Sequence, residues 1–233
     1  MNHLHFETIE STQTFLKDKM NEFEKEHQHN LVSCDFQSKG IGRSGNAWIF
    51  DGKSLAMSFS IRPHATLSLT PIEMGLITLK FFKENFNQNI LLKWPNDLMN
   101  EKKEKIGGLI SHYHHQNLVI VGLGLNLNQI SIDASNFKHG INSLKIEKDY
   151  HLKSLSKDLF HFILNNRIKT DEEIVELFYK NCIHQNILVE NNEPDLNKTT
   201  MGLFMGINNS GAAILKENEL EKEFISGSLL IKT

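Results

Sequence analysis

A chain of 233 residues, 39% hydrophobic and 23% charged, has the material for one sizeable folded domain, or for one plus a small appendix. Its formal net charge of -3 supplies no general positive field for nucleic acid, and no apolar run approaches the length of a membrane span. The opening MNHLHFETIESTQ lacks the basic-then-apolar pattern of a secretory leader, and Cys34 and Cys182 stand far apart with no ligand spacing, so the expectation is a cytoplasmic protein with reduced thiols.

In chain order, residues 4–9 alternate loosely and predict a short edge strand. Ser11 and Thr12 precede Phe15, Leu16, Met20 and Phe23, the pattern of a capped amphipathic helix. Residues 31–36 predict a buried strand. Residues 37–53, with Gly40, Gly42, Gly45 and Gly52, read as a long loop, and 54–61 as an alternating strand. A helix is expected over 71–84. A strand follows from 90 and is stopped by Pro95, so that Asn96 and Asp97 project from a turn at its end. Residues 105–113 and 118–127 predict a hairpin. Leu152, Leu155, Leu159, Phe160, Ile163 and Leu164 mark a core-facing helix, and a shorter one surrounds Ile174, Leu177 and Phe178. From about residue 186 helical periodicity ends, and short alternating runs split by Asn208–Gly211 and Gly227 predict a small all-β unit. The expected division is therefore 1–185 and 186–233.

Gly40-Ile41-Gly42-Arg43-Ser44-Gly45 matches the GxGxxG pattern of dinucleotide folds, but that chemistry needs a helix directly afterwards to meet the pyrophosphate. Here Asn46-Ala47-Trp48 leads to Gly52 and another strand. The strand ends in Arg62-Pro63, with no acidic residue for a ribose. Gly52-Lys53-Ser54 resembles the end of a phosphate-binding P-loop, but its first glycine position is Ala47. What survives is a glycine loop whose backbone can approach an anion, with Arg43 as a phosphate fork.

Three further motifs sharpen this reading. Gln37-Ser38-Lys39-Gly40-Ile41-Gly42-Arg43-Ser44-Gly45-Asn46-Ala47-Trp48 resembles the biotin-binding loop of biotin–protein ligases. Lys93-Trp94-Pro95-Asn96-Asp97 is identical to that family's KWPND signature. Lys105-Ile106-Gly107-Gly108 is similar to its K-x-x-G, and Gly122-Leu123-Gly124-Leu125-Asn126-Leu127-Asn128 to its G-x-G-x-N-x-N. Ser11-Thr12-Gln13 resembles its S-T-N. The resemblance covers about residues 5–130 well and the β-rich tail loosely. It implies an α+β fold, a mixed β-sheet backed by helices as in class II aminoacyl-tRNA synthetases and biotin ligases, with a small C-terminal SH3-like β-barrel. No helix-turn-helix-sized segment stands before the first strand, so the resemblance is to the short form without a DNA-binding domain.

The resemblance also implies a reaction. Biotin is activated by ATP, with Mg²⁺ carried by the nucleotide, and is passed as biotinyl-5'-AMP to a lysine of a biotin carrier protein such as that of acetyl-CoA carboxylase. Ser11, Thr12, Gln37, Gly40, Lys105 and Gly107 are then expected to hold biotin, and hydroxyl and amide groups suit its ureido ring. Arg43, Trp48, Lys93, Asn96 and Asn126 are expected around ATP, Asn126 at the adenine end. Lys105, Arg43 and Asp97 are the expected catalytic residues. Two cations answer the repulsion between carboxylate and phosphate, and Asp97 serves the carrier lysine. The resemblance implies a monomer or homodimer acting on no nucleic acid and no membrane.

Two positions depart from the family, Ile41 where a cation is frequent and Asn46 where an arginine is frequent, and both remove positive charge from the loop. The alternatives are a lipoate- or octanoyl-type ligase or transferase, against which the intact KWPND argues, and a non-catalytic biotin-binding module, against which Arg43, Asp97 and Lys105 argue. His112, His114 and His115 read as a solvent-facing turn, since no Cys or third spaced ligand accompanies them.

Overall fold

A computed structural model describes residues 1–25, 29–48, 53–115, 117–128, 140–193 and 198–231. Gly52 of the expected loop lies outside the described residues. The first part of the chain supplies β1 (Asn2–Ile9), α1 (Thr12–Phe23), β2 (Asn30–Gln37), β3 (Gly40–Ile41), β4 (Ala47–Trp48), β5 (Lys53–Ile61) and α2 (Thr70–Phe86). There follow β6 (Leu91–Lys93), β7 (Asp97–Met99), β8 (Lys105–His115), β9 (Leu118–Leu127), α3 (Leu152–Asn165) and α4 (Asp171–Asn181). Seven strands make one sheet in the order β1-β2-β5-β9-β8-β7-β6. β1 runs parallel to β2 at the edge, and the other neighbours are antiparallel, which makes the sheet mixed.

The helix ends follow from local chemistry. The Ser11 side chain accepts from Thr14 N (3.3 Å) and caps α1; the Thr170 side chain accepts from Glu173 N (3.2 Å) and caps α4. Asp171, Glu172 and Glu173 in the first turn of α4 and Lys180 in its last suit the helix dipole. Pro71 opens α2, where its missing N–H costs no helical bond, and Asn87 closes it in the left-handed region at φ 52°.

The strand period of two divides the apolar residues between two faces of the sheet. On β9, Val119, Val121, Leu123 and Leu125 join the main core with residues of α2, α3 and α4, while Leu118 and Ile120 pack with Leu16 and Met20 of α1. The main core includes fully buried Phe59, Phe82, Trp94 and Phe160, each worth roughly 1.5–3 kcal/mol or more of burial. A buried ion network ties its helices together. Glu73 of α2, wholly buried, receives a two-pronged hydrogen bond from Arg167 (2.7 and 2.8 Å), and His64 bridges towards Asp171 at 2.7 Å.

The rest of the chain forms β10 (Leu188–Glu193), β11 (Lys198–Ile207), β12 (Ala213–Glu217), β13 (Leu220–Phe224) and β14 (Ser228–Ile231). They make an antiparallel sheet in the order β13-β12-β11-β10-β14. Its inward residues Val189, Phe204, Leu215, Phe224 and Leu229 extend the main core, with the Phe204 ring 6.5 Å from Phe178 of α4. The Trp94 indole donates to Gly211 O across the junction (3.0 Å). The β-rich tail is thus packed onto the larger sheet through a shared core.

Three expectations are corrected. The stretch read as a long loop contains the β3–β4 hairpin and a 3₁₀ turn at Arg43–Gly45. The turn at the strand end holds Asn96, but Asp97 lies beyond it and opens β7, paired with Lys93 on one side and Gly108 on the other. β7, β10 and β13 are strands that the alternating pattern did not single out, because they are short or largely polar.

Candidate active site

A cleft of about 540 Å³ opens on the α1 face of the large sheet. Its floor is shaped by what β5, β8 and β9 place on that face. In register across the sheet lie Ser58 opposite Gly122, Ala56 opposite Gly124, and Gly108 opposite Gly124 on the other side. Side chains on one strand face recur every second residue, so small residues at these positions leave a depression where a larger run would fill it. A Cβ on Gly124 would lie 2.8 Å from the Trp48 ring, which occupies that space.

At the level of Gly122 the wall is polar. Gln37 Oε1 accepts from Thr12 N (2.7 Å) and from Thr12 Oγ1 (3.0 Å), and Thr12 Oγ1 also lies 2.9 Å from Ser58 Oγ. Gln13 Nε2 donates to Ile120 O (3.3 Å), whereas Gln13 Oε1 is buried with no hydrogen-bond partner among the described residues. The Trp48 indole Nε1 is likewise buried and unpartnered. An orphaned buried acceptor carries a desolvation cost of about 1–3 kcal/mol, which a ligand's N–H removes.

Beyond this polar wall is a group of ions. Asp97 Oδ1 lies 2.6 Å from Lys105 Nζ, and Asp97 Oδ2 lies 3.1 Å from Lys93 Nζ. Burial alone would push the Asp97 carboxyl up, but Lys105 and Lys93 outweigh it and hold the group below its usual range. Burial pushes Lys93 down, and Asp97 opposes that shift while Lys105 and Arg43 add to it. Lys105 is the exposed member, with a third of its side chain accessible, and faces the cleft. The fourth wall comes from the other sheet. Arg43 Nη1 donates to Gly227 O (2.8 Å), Ser228 Oγ lies 3.4 Å from Lys93 Nζ, and Glu193 joins the lining.

The fold brings Ser11, Thr12, Gln37, Arg43, Trp48, Asn96, Asp97 and Lys105 to this one cleft. Four other expected residues do not line it. Gly40 opens β3 opposite Trp48, where a Cβ would meet Trp48 O at 2.7 Å. Gly107 faces the opposite side, its Cβ position 2.5 Å from Gly124 O, and Gly108 lines the cleft in its place. Lys93 is buried beneath Asp97 and touches the cleft lining through Asp97 and Ser228. Asn126 is spent on structure, donating to Asn142 O (3.2 Å) and accepting from Ser54 Oγ (3.4 Å). Ser11 Oγ is engaged as the α1 cap, and Asn96 donates to Leu109 O (2.6 Å), which pins the turn to β8. Gln13, Ser58, Gly108, Glu193 and Gly227 were not singled out as site residues from sequence. Two of them had a local signal, Gln13 beside Ser11-Thr12 and Gly108 as the glycine of the K-x-x-G match.

A mixed sheet backed by helices, with a polar cleft beside a cluster of cations, is the arrangement the chain presents. The chain belongs to the Biotin/lipoate A/B protein ligase family, whose model matches residues 5–128, more than half of the 233. It is 30% identical over 106 residues to the "Bifunctional ligase/repressor BirA" of Bacillus subtilis, covering 42% of this chain and 33% of that protein. It is 26% identical over 211 residues to the "Biotin--protein ligase" of Schizosaccharomyces pombe, covering 76% of this chain and 33% of that one. The chain thus spans about a third of the length of these curated relatives. Its fold is that of the biotin protein ligase from Aquifex aeolicus in complex with biotin and ATP, at a TM-score of 0.78 and 24% identity over 99% of this chain and 98% of that one. Among the described residues no helix is long and apolar enough to cross a membrane.

Proposed function

We propose that the protein is a biotin–protein ligase that forms biotinyl-5'-AMP from biotin and ATP and transfers biotin to a lysine of a biotin carrier protein. The observation that carries this reading is the presence, in one cleft, of a polar pocket with an unpartnered acceptor at Gln13 and the partly exposed, Asp97-paired ammonium of Lys105. The level of Gly122 and that of Gly124 are two residues apart on β9, about 7 Å along the strand. A molecule with a donor–acceptor ring at one end and a carboxylate on a short tail matches that order.

In this reading the ureido N–H groups meet Gln13 Oε1 and the Thr12–Gln37–Ser58 set, while the carboxylate extends to Lys105. One carboxylate oxygen attacks the α-phosphorus of ATP and pyrophosphate leaves. Lys105 and Arg43 offset the repulsion between the two anions. The acceptor lysine, as the neutral amine, then attacks the biotinyl carbonyl, AMP leaves, and the proton of the new amide nitrogen passes to water. Asp97, beside the Lys105 ammonium at the cleft, draws in and orients the acceptor amine. Mg²⁺ fits as a passenger of the triphosphate. An ion that keeps much of its water and binds through phosphate oxygens needs no protein cage. Residues 1–185 form the catalytic unit and 186–233 the β unit that completes the cleft, in a cytoplasmic monomer or homodimer.

The test combines purified protein, ATP, Mg²⁺, labelled biotin and a carrier domain, run beside Lys105→Ala and beside lipoate in place of biotin. Transfer of label that is lost in the variant, with none from lipoate, supports the reading. Biotin binding without transfer would reduce the protein to a binding module, and transfer of lipoate instead would reassign the substrate.

A further inference from the structure

The histidines at the β8–β9 turn take no part in the cleft chemistry, and their sequence spacing supplies no third ligand. The fold supplies one. Glu24, which follows the last residue of α1, stands beside the hairpin, with its Oε2 2.8 Å from His115 Nε2. The register of β8 against β9 shifts between Tyr113 and His115, which leaves His114 as the extra residue of a bulge. In a regular strand neighbouring side chains point to opposite faces, but a bulge re-aims one of them. Here the rings of His114 and His115 lie on the same side, their centroids 5.3 Å apart. Donor atoms of His114, His115 and Glu24 all lie within 4.8 Å of one another, the only such group of three among the described residues.

We propose that Glu24, His114 and His115 form a binding site for a borderline divalent transition-metal ion, Zn²⁺ by preference. Two imidazoles and one carboxylate are the donor set such ions take, whereas Mg²⁺ and Ca²⁺ take oxygen. Tetrahedral coordination with bonds near 2.0–2.2 Å needs donors roughly 3.4 Å apart, so the 2.8 Å His115–Glu24 pair must open by about half an ångström, while donors standing up to 4.8 Å apart must close by about an ångström. The His115 and Glu24 side chains, 49% and 32% exposed, are free to rotate that far. The pair they make without metal is an exposed one and contributes little, so displacing it costs little. Water completes the ligand shell. The ion clips the C-terminal end of α1 to the β8–β9 turn. Because α1 carries Thr12 and Gln13 at its other end, the clip fixes the helix that walls the cleft. The proposal stands independently of the reaction assigned to the cleft.

The experiment uses the full chain, stripped of metal and titrated with Zn²⁺ against a chromophoric chelator. Glu24→Gln, His114→Ala, His115→Ala and a His112→Ala control are titrated in parallel. The expected result is one ion per chain, at least tenfold weaker binding in each of the first three variants, wild-type binding in the control, and no competition from excess Mg²⁺. These are surface substitutions, and the metal-free melting temperature checks that each variant folds. Wild-type binding no tighter than that of a variant lacking all three donors would overturn the proposal. Tight binding that survives His114→Ala and His115→Ala together would assign the ion to other histidines, and equally overturn it.

Discussion

Asp97 and Lys105, eight positions apart in sequence, meet with carboxylate and ammonium 2.6 Å apart because β7 and β8 are antiparallel neighbours. Beneath them Lys93 is 97% buried and has Asp97 as its anionic partner. Asp97→Ala therefore strands a buried ammonium. We expect it to cost about 3 kcal/mol or more of stability in urea unfolding, in the range for removing one member of a buried pair. Lys105→Met keeps Lys93 paired and is expected to cost far less stability, while slowing adenylate formation about a hundredfold or more. Equal stability losses in the two variants would contradict this division of labour. The carboxyl's depressed pKa gives the pH sense. Its contribution is fully present above the ordinary carboxylate range and is lost as pH falls through the folded-state value.

Gln13→Leu removes the orphaned amide oxygen without opening a large space. Biotin affinity is expected to fall about tenfold or more, the scale of one buried hydrogen bond, with the KM for ATP unchanged. Isothermal titration with biotin alone checks it. An unchanged affinity would remove Gln13 from the ureido contact.

Two glycine substitutions are expected to separate fold from site. Gly107→Ala drives a Cβ into Gly124 O at 2.5 Å, a backbone atom that cannot step aside, and should lower the melting temperature markedly. Gly124→Ala meets the Trp48 ring at 2.8 Å, a side chain at the cleft, and is expected to lose activity with a smaller stability loss. Thermal melts and initial rates on both variants decide the matter.

The difference between Gly107 and Gly108 marks where sequence stops being enough. Both sit in the K-x-x-G-like stretch. Which one faces the cleft depends on parity along β8, set by its pairing with β9 rather than by local preference. The KWPND strand, the β8–β9 hairpin and helices α1 to α4 were legible because their apolar residues follow the periods of strand or helix. The β3–β4 hairpin has two residues in each strand, too few for any period. Asn126, expected at a ligand by its motif, donates to Asn142 O, a bond that no local pattern announces. Glu193 and Gly227 reach the cleft from the second sheet, a tertiary fact with no local trace.

Arg167→Met breaks the two-pronged bond to wholly buried Glu73 and is expected to cost about 3–5 kcal/mol. The double variant Glu73→Leu with Arg167→Met should recover much of that loss, since no buried charge is then left unmatched. Urea titrations of the two single variants and the double variant give the coupling. Additive losses would contradict it.

The edge strand should respond to acid. Burial first, and then His5, Lys153, Lys157 and His161, lower the pKa of His3 from 6.5 to about 4. Above 6.5 the ring is neutral in both folded and unfolded chains. Between about 6.5 and 4 the unfolded chain takes up a proton that the folded one refuses, so stability falls as pH falls across that window. Comparing urea midpoints at pH 7 and pH 5 in wild type and His3→Gln should show a smaller drop in the variant. Identical drops would place the acid sensitivity elsewhere.

The hydrogen bond from Arg43 to Gly227 O joins positions 184 residues apart. It sets an order of events during synthesis. A nascent chain that has emerged through α4 already holds all seven strands of the large sheet, yet the carbonyl that fastens the glycine loop has not been made. The cleft is thus completed by a segment made after the whole of the large sheet, and ribosome-bound chains stalled before Gly227 should carry the sheet without a fastened loop.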